Sequence, residues 1–220
     1  MRWGGPSGNR SKRGPCRAAS RACGHANHSS ALQRVPMRVL NLGCGNAKND
    51  FPEAGQAAEI VGIDISPNSQ ADLLHDLDTF PYPCESDRFD LVIMQDVIEH
   101  VRDVPAVMNE VYRLLRDGGI VRIRTPHYSS YYAFNDPTHL HFFGAMVFDG
   151  FDADNPNTLY AQARFRFVTR RILFPRIWRI TGVAALANAF TKRWEQLFAF
   201  IFRAENMYFE LEAVKGSTRG

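Results

Sequence analysis

An apolar run that breaks into a Gly-x-Gly turn constrains this chain more than any other feature. Val39-Leu40-Asn41-Leu42 leads into Gly43-Cys44-Gly45-Asn46-Ala47, and a second apolar run closes on Asp64, nineteen residues after Gly45. Glycines let the backbone bend sharply there and approach a ligand closely. An acid at the tip of the following strand can accept both hydroxyls of a ribose, although a solvated or helix-capping carboxylate is an equally ordinary use. The spacing describes one βαβ unit with an adenosine-binding crevice at its strand tips. A full dinucleotide fingerprint needs a third glycine where Lys48 stands, which argues against a pyrophosphate ligand.

The rest of the pattern alternates strands with helices. Met37–Leu42, Glu59–Ile65, Ala71–Leu77, Phe89–Gln95 and Ile120–Arg124 read as strands, with a short helix near Phe51–Ala58. Asp103 and Pro105 open a second helix, whose apolar positions recur at helical spacing until Gly118. These elements predict an α/β, Rossmann-like, doubly wound sheet, mostly parallel and covered on both faces. Phe165–Phe174 and Met207–Val214 add two strands as an antiparallel edge hairpin, for seven in all. Between them Ala184–Arg203 reads as one aromatic helix bearing Lys192 and Arg193. Such a stripe suits a membrane surface or a greasy substrate site, but core or a dimer face is the preferred reading.

Charge divides the chain. Residues 1–36 hold seven Arg/Lys and no acid, so the remaining 19 basic and 23 acidic residues leave the folded part acidic. That removes most of the case for a nucleic-acid partner, which wants a basic face on the domain itself. The 1–36 segment has too little apolar content to fold alone. Its composition superficially fits a transit peptide, but the plainer reading is a disordered basic tail or translated leader ahead of a start at Met37. Residues 37–220 then form one domain. Cys16, Cys23, His25 and His28 match no standard zinc spacing. No apolar run is long enough to cross a membrane, and four scattered cysteines suit a reducing, cytoplasmic setting.

Six motifs occur in order: Leu42-Gly43-Cys44-Gly45, Gly62-Ile63-Asp64, His75-Asp76-Leu77, Phe89-Asp90-Leu91-Val92, Asp96-Val97-Ile98-Glu99-His100 and Arg113-Leu114-Leu115-Arg116-Asp117-Gly118-Gly119. Together they resemble the class I S-adenosylmethionine-dependent methyltransferases of the "methyltransferase type 11" group, over about residues 37–130. The resemblance implies S-adenosylmethionine as cofactor and methyl transfer to a small molecule, with a sugar or other hydroxyl acceptor as the expected class. It places the Gly43–Gly45 backbone beside the methionine part and Asp64 on the ribose. Asp76 and Leu77 meet the adenine edge, while Gln95 and Asp96 face the methionine amino group and sulfonium. Asn41, Cys44 and Ile65 are counted with these cofactor-binding residues. Asn41 stands where the family often has an acid, and Ala47 where it often has glycine. Glu99 and His100 read as structural supports.

The cofactor brings the reactive group, so the protein's tasks are alignment and, for an oxygen or nitrogen acceptor, proton removal. His127, Asp136, His139 and His141 follow the fifth strand among Tyr128, Tyr131, Tyr132 and Phe134. In this architecture that segment sits over the transferred methyl group. His127, Asp136 and His139 are the candidate catalytic residues. His139 as base, Asp136 with a histidine as metal ligands, and simple loop bracing all remain open, and no metal is assigned. Two further readings stay beside the enzyme: a non-catalytic methyltransferase-like partner protein and a nicotinamide-dependent oxidoreductase. The expected assembly is a monomer or homodimer.

Overall fold

The computed structural model describes residues 37–155 and 162–216. The expectations for 1–36, including the tail and its cysteines, lie outside the described residues. The sheet has seven strands: β1 (Met37–Leu42), β2 (Ala57–Asp64), β3 (Leu73–Leu74), β4 (Phe89–Gln95), β5 (Leu115–Pro126), β6 (Phe165–Ile172) and β7 (Asn206–Ala213). Their spatial order is β3-β2-β1-β4-β5-β7-β6. The first five run parallel, and β7 pairs antiparallel with both β5 and β6. This is the Rossmann-like doubly wound sheet with its antiparallel edge.

The central strands β1 and β4 are mostly apolar because their middles are buried on both faces. Val39 to Leu42 and Leu91 to Met94 are almost fully inaccessible. The order reverses between β1 and β4, so their carboxyl ends diverge and leave a crevice between them. Helix α1 (Val104–Leu114) packs on one face. Asp103 Oδ1 caps it by accepting the Ala106 N–H at 2.9 Å, and Pro105 sits in the first turn, where a missing N–H costs nothing. Its buried stripe Val104, Val107, Met108, Val111 and Leu114 joins a core that also holds Phe143, Phe148 and Trp194.

Several local expectations change. The helix near Phe51–Ala58 is only a single 3-10 turn, Ala54–Gln56. Pro52, Gly55 and a short connection leave no room for more. Consequently, among the described residues, the second face of the sheet is not covered by helices. Phe51 packs on Val39, Leu91 and Ile93 there. Further along, Arg122 reaches across to Glu53 at 2.9 Å and Glu210 at 3.1 Å, so ion pairs stand where a helix would bury apolar surface. The third strand shrinks to Leu73–Leu74, because Asp72 turns its carboxylate into the ladder to accept the Gly62 N–H at 2.7 Å. Strand β5 begins at Leu115, directly after α1, and Gly118 (φ +72°) falls within it and does not cap the helix.

The largest correction concerns Ala184–Arg203. It is not one helix. A short helix α2 (Arg176–Ile180) precedes the stretch, and short helices α3 (Val183–Ala189) and α4 (Thr191–Leu197), followed by turns, replace it. Phe190 is non-helical (φ −126°, ψ 47°) and breaks the stretch between α3 and α4, while the left-handed Gly182 (φ +80°) separates α2 from α3. The core reading holds for Ala187, Trp194 and Ala199, which are buried, but not for the large side chains between them, most of which are exposed.

Candidate functional site

Two cavities meet at the carboxyl end of the sheet. The first, about 750 Å³, lies over the crevice between β1 and β4 and is lined by Gly43, Asp64, Ile65, Asp76, Leu77, Asp96, Val97, His100 and Thr138 among others. The second, about 580 Å³, is lined by Asp96, Glu99, Arg124, Tyr132, Asp136, His139, Glu205 and Asn206 among others. Asp96 lines both. Such volumes suit small molecules.

The first cleft is built by the glycine turn. Gly43 has φ +62°, and a Cβ there would lie 2.4 Å from Val97 Cγ2. Only glycine lets the β1 tip close against the turn that follows β4. Asp64 is pre-oriented: Oδ2 accepts the Gly45 N–H and Oδ1 the Ser66 N–H, both at 2.8 Å. Each oxygen keeps acceptor capacity for a ligand. Asp76 Oδ1 accepts the Asp78 N–H at 2.9 Å. Lys48 packs its stem on Gly62 and pairs with Asp72 at 2.9 Å, so it braces the turn from below.

Of the residues assigned to this cleft by sequence, Gly43, Asp64, Ile65, Asp76, Leu77 and Asp96 line it. Four of the assigned residues do not line it. Asn41 is buried, and its Nδ2 donates to the Lys48 carbonyl at 3.0 Å. An aspartate could not make that bond, which is a physical reason for asparagine here. Cys44 is buried beneath the turn, where burial raises its thiol pKa. Gly45 shapes the turn through its N–H, and Gln95 lines neither cavity.

In the second cavity Glu99 and His139 form the chemically notable pair. Glu99 is 1% exposed. Its Oε2 accepts the Thr125 hydroxyl at 3.0 Å, while Oε1 has no hydrogen-bond partner and lies 4.0 Å from His139 Nε2. His139 Nδ1 is 2.9 Å from the Ala133 carbonyl, to which it donates. That bond assigns the proton to Nδ1 and leaves a lone pair on Nε2, the nitrogen facing Glu99. Burial, only partly offset by the Thr125 hydrogen bond, pushes the Glu99 carboxyl up to about 7. His100 stands edge-on to His139, with ring centroids 4.7 Å apart. One ligand atom each from Glu99, His100 and His139 lies within 4.8 Å of the others, so among the described residues these three could hold a divalent cation. The sequence reading took Glu99 and His100 for supports. The signal available was an acid flanked by apolar residues, but its nearness to His139 is a tertiary fact.

The other two catalytic candidates separate. Asp136 lines the second cavity, yet its Oδ1 accepts both the N–H and the hydroxyl of Thr138, at 2.8 and 2.6 Å. Those bonds hold its carboxyl below the ordinary aspartate range, so it positions the loop that carries His139. His127 lines neither cavity. It is fully buried, with Nε2 donating to Glu195 at 3.0 Å and Nδ1 accepting the Ser129 N–H at 3.1 Å. Both nitrogens are taken, and the ring braces α4 against the segment after β5. His141 likewise bonds the Val101 carbonyl at 2.9 Å.

Two outcomes follow. His127→Ala is expected to cost about 2–3 kcal/mol, because Glu195 loses its buried partner; chemical denaturation measures it, and an unchanged midpoint would refute the bracing role. For Glu99, the raised folded pKa means that the folded state binds the extra proton between the ordinary 4.5 and about 7. Stability therefore falls as pH rises through that window, by up to about 3 kcal/mol. Glu99→Gln is expected to match the parent near pH ~5 and to melt higher near pH ~8; identical pH dependence in both proteins would contradict the assignment.

Comparison with known proteins adds the family. The family model for the methyltransferase domain matches residues 17–148. A ubiquinone biosynthesis O-methyltransferase of Rhodopseudomonas palustris (strain BisB5) is 34% identical over 100 residues, covering 40% of this chain and 40% of that protein. The chain thus matches well under half the length of such curated relatives. Among solved structures, an S-adenosylmethionine-dependent methyltransferase from Archaeoglobus fulgidus superposes with a TM-score of 0.54 at 18% identity, covering 81% of this chain and 86% of that one. Phosphoethanolamine N-methyltransferase 2 of Haemonchus contortus, solved in complex with S-adenosyl-L-methionine, gives 0.52 at 18% identity, covering 81% and 49%. At such identities these structures share the fold.

Proposed function

The chain belongs to the methyltransferase-domain family, and from that premise we propose that residues 37–220 form a domain that transfers a methyl group from S-adenosylmethionine to a hydroxyl group of a small molecule. The observation that carries the reading is the pair of cavities joined at Asp96, one lined by a pre-oriented Asp64 and the other by His139 and Glu99.

The cleft residues fit the cofactor. Asp64 offers a fixed carboxylate to a ribose diol, Asp76 and Leu77 border the adenine end, and the Gly43 turn leaves open backbone at the methionine end. Asp96 is left-handed (φ 54°) and ion-paired to Arg124, which fixes its carboxylate where the two cavities meet. When bound, S-adenosylmethionine supplies a methyl group already activated for displacement. The chain's own work would be to align the acceptor oxygen with that methyl group and to remove the hydroxyl proton as the cofactor's carbon–sulfur bond gives way.

His139 Nε2 takes that proton. Glu99 Oε1, facing it from a dry site, compensates the imidazolium that forms. Asp136 acts one step back, by holding Thr138 and with it the His139 loop. A hydroxyl acceptor, including a sugar, suits a cavity lined by Asn135, Asp136, Glu205 and Asn206, all hydrogen-bonding side chains.

The test is methyl transfer from labelled S-adenosylmethionine into fractionated pools of hydroxylated metabolites, with His139→Ala as control. Label in an acid-stable, alkali-stable ether, lost in the control, is the expected result. Label only in nitrogen- or carbon-methylated products would overturn the acceptor class.

A further inference from the structure

The excursion between β6 and β7 carries chemistry that methyl transfer does not use. Residues 173–205 hold five Arg/Lys and two acids, Glu195 and Glu205, whereas the rest of 37–220 is acidic. Glu195 is turned inward, where Oε1 accepts from His127 and from the Ala145 N–H. The exposed charged residues of α2 to α4 and the turns after them are therefore all positive, Arg176, Arg179, Lys192, Arg193 and Arg203, while Glu205 is half-buried at the second cavity. Between them Ile180, Leu186, Phe190, Leu197, Phe200 and Ile201 are each more than half exposed. Isolated surface apolar residues are ordinary, but six large ones within 22 positions form a patch that demands a partner. An apolar groove of about 510 Å³ runs through it, floored by Trp194.

The pattern explains why the helices stay attached while presenting greasy side chains outward. Trp194 packs edge-on against Phe174, with ring centroids 5.1 Å apart, and Trp178 against Phe202 at 5.2 Å. Those few inward anchors hold the segment to the core, and the remaining apolar residues are free to engage something else. A second copy is a poor occupant, because a two-fold interface would set this basic rim against itself. A surface that is apolar at its centre and negatively charged at its edge matches both features at once.

We propose that this face docks reversibly on an anionic phospholipid bilayer, the apolar side chains entering the headgroup–acyl boundary and the arginines and lysines meeting phosphate groups. No helix among the described residues is long and apolar enough to cross a membrane, so the contact is peripheral. Glu205, which ends this segment, and Asn206 line the second cavity, so docking would bring the acceptor site close to the lipid surface. The docking itself does not depend on the methyl-transfer reading.

Flotation of the full chain with lipid vesicles tests it. The chain is expected to float with phosphatidylcholine–phosphatidylglycerol vesicles, to stay behind with phosphatidylcholine alone, and to be released by high salt. The double variants Lys192→Glu/Arg193→Glu and Leu197→Ser/Phe200→Ser alter exposed positions only. Each is expected to lower the floated fraction at least about tenfold while melting like the parent. Absence of flotation by the parent chain would overturn the proposal. So would undiminished flotation of both variants, which would assign the lipid contact to the basic 1–36 segment. A concentration-dependent dimer abolished by the same substitutions, without lipid binding, would overturn it in favour of self-association.

Discussion

Asp64→Ala is expected to weaken S-adenosylhomocysteine binding on the order of 100-fold. The carboxylate is held by two backbone N–H groups, from Gly45 and Ser66, before any ligand arrives. A ribose diol then meets a charged acceptor that needs no reordering. Two hydrogen bonds to a charged group, less their exchange with water, are worth about 3 kcal/mol together, which is about two decades of affinity. Asp64→Asn keeps one acceptor and is expected to fall between the two. Calorimetric titration of each variant measures the effect, and affinities within threefold (about 0.6 kcal/mol) of the parent would show that the diol is not held there.

His139→Ala is expected to lower kcat about 10²- to 10³-fold while leaving S-adenosylhomocysteine affinity nearly unchanged. The dissociation of the two effects follows from position: His139 lines the second cavity and not the first. Glu99→Gln is expected to lower kcat as well and to remove the rise in rate near pH 7 that accompanies ionisation of Glu99, whose pKa burial pushes up to about 7. That pH limb separates a chemical role from a structural one. A Glu99→Gln enzyme with an unaltered pH–rate profile would restrict Glu99 to packing. The same substitution is expected to stabilise the fold above neutral pH, so Glu99 exchanges stability for a charge in a dry site.

The sheet was legible in the sequence because its central strands are mostly apolar and β1 ends in a turn that only glycine permits. Asp64 was legible because spacing alone puts an acid at a strand tip. Connections were less so. A helix near Phe51–Ala58 was expected from the βαβ pattern, but a single turn and the Arg122–Glu53–Glu210 ion pairs take its place, and no periodicity reports such a cross-chain network. The aromatic stretch from Ala184 reads as one helix because apolar residues recur at helical spacing. Its break depends on the non-helical Phe190 and on Trp194 being drawn inward against Phe174. In the site, three histidines and an acid in one segment looked interchangeable. Burial and hydrogen bonding together sort them: His127 into a brace, Asp136 into a loop clasp, and His139 into the cavity opposite Glu99.

Lys48 offers the sharpest contrast between cofactor classes. It removes the third glycine of a dinucleotide fingerprint, and the structure shows it clamped on Asp72 beneath the turn. Calorimetric titration of the parent chain with S-adenosylhomocysteine and, separately, with NAD therefore tests the central claim most directly. Saturable one-to-one binding of S-adenosylhomocysteine in the micromolar range, with no heat from NAD, is the predicted result. No binding of S-adenosylhomocysteine, or tighter binding of NAD, would contradict it.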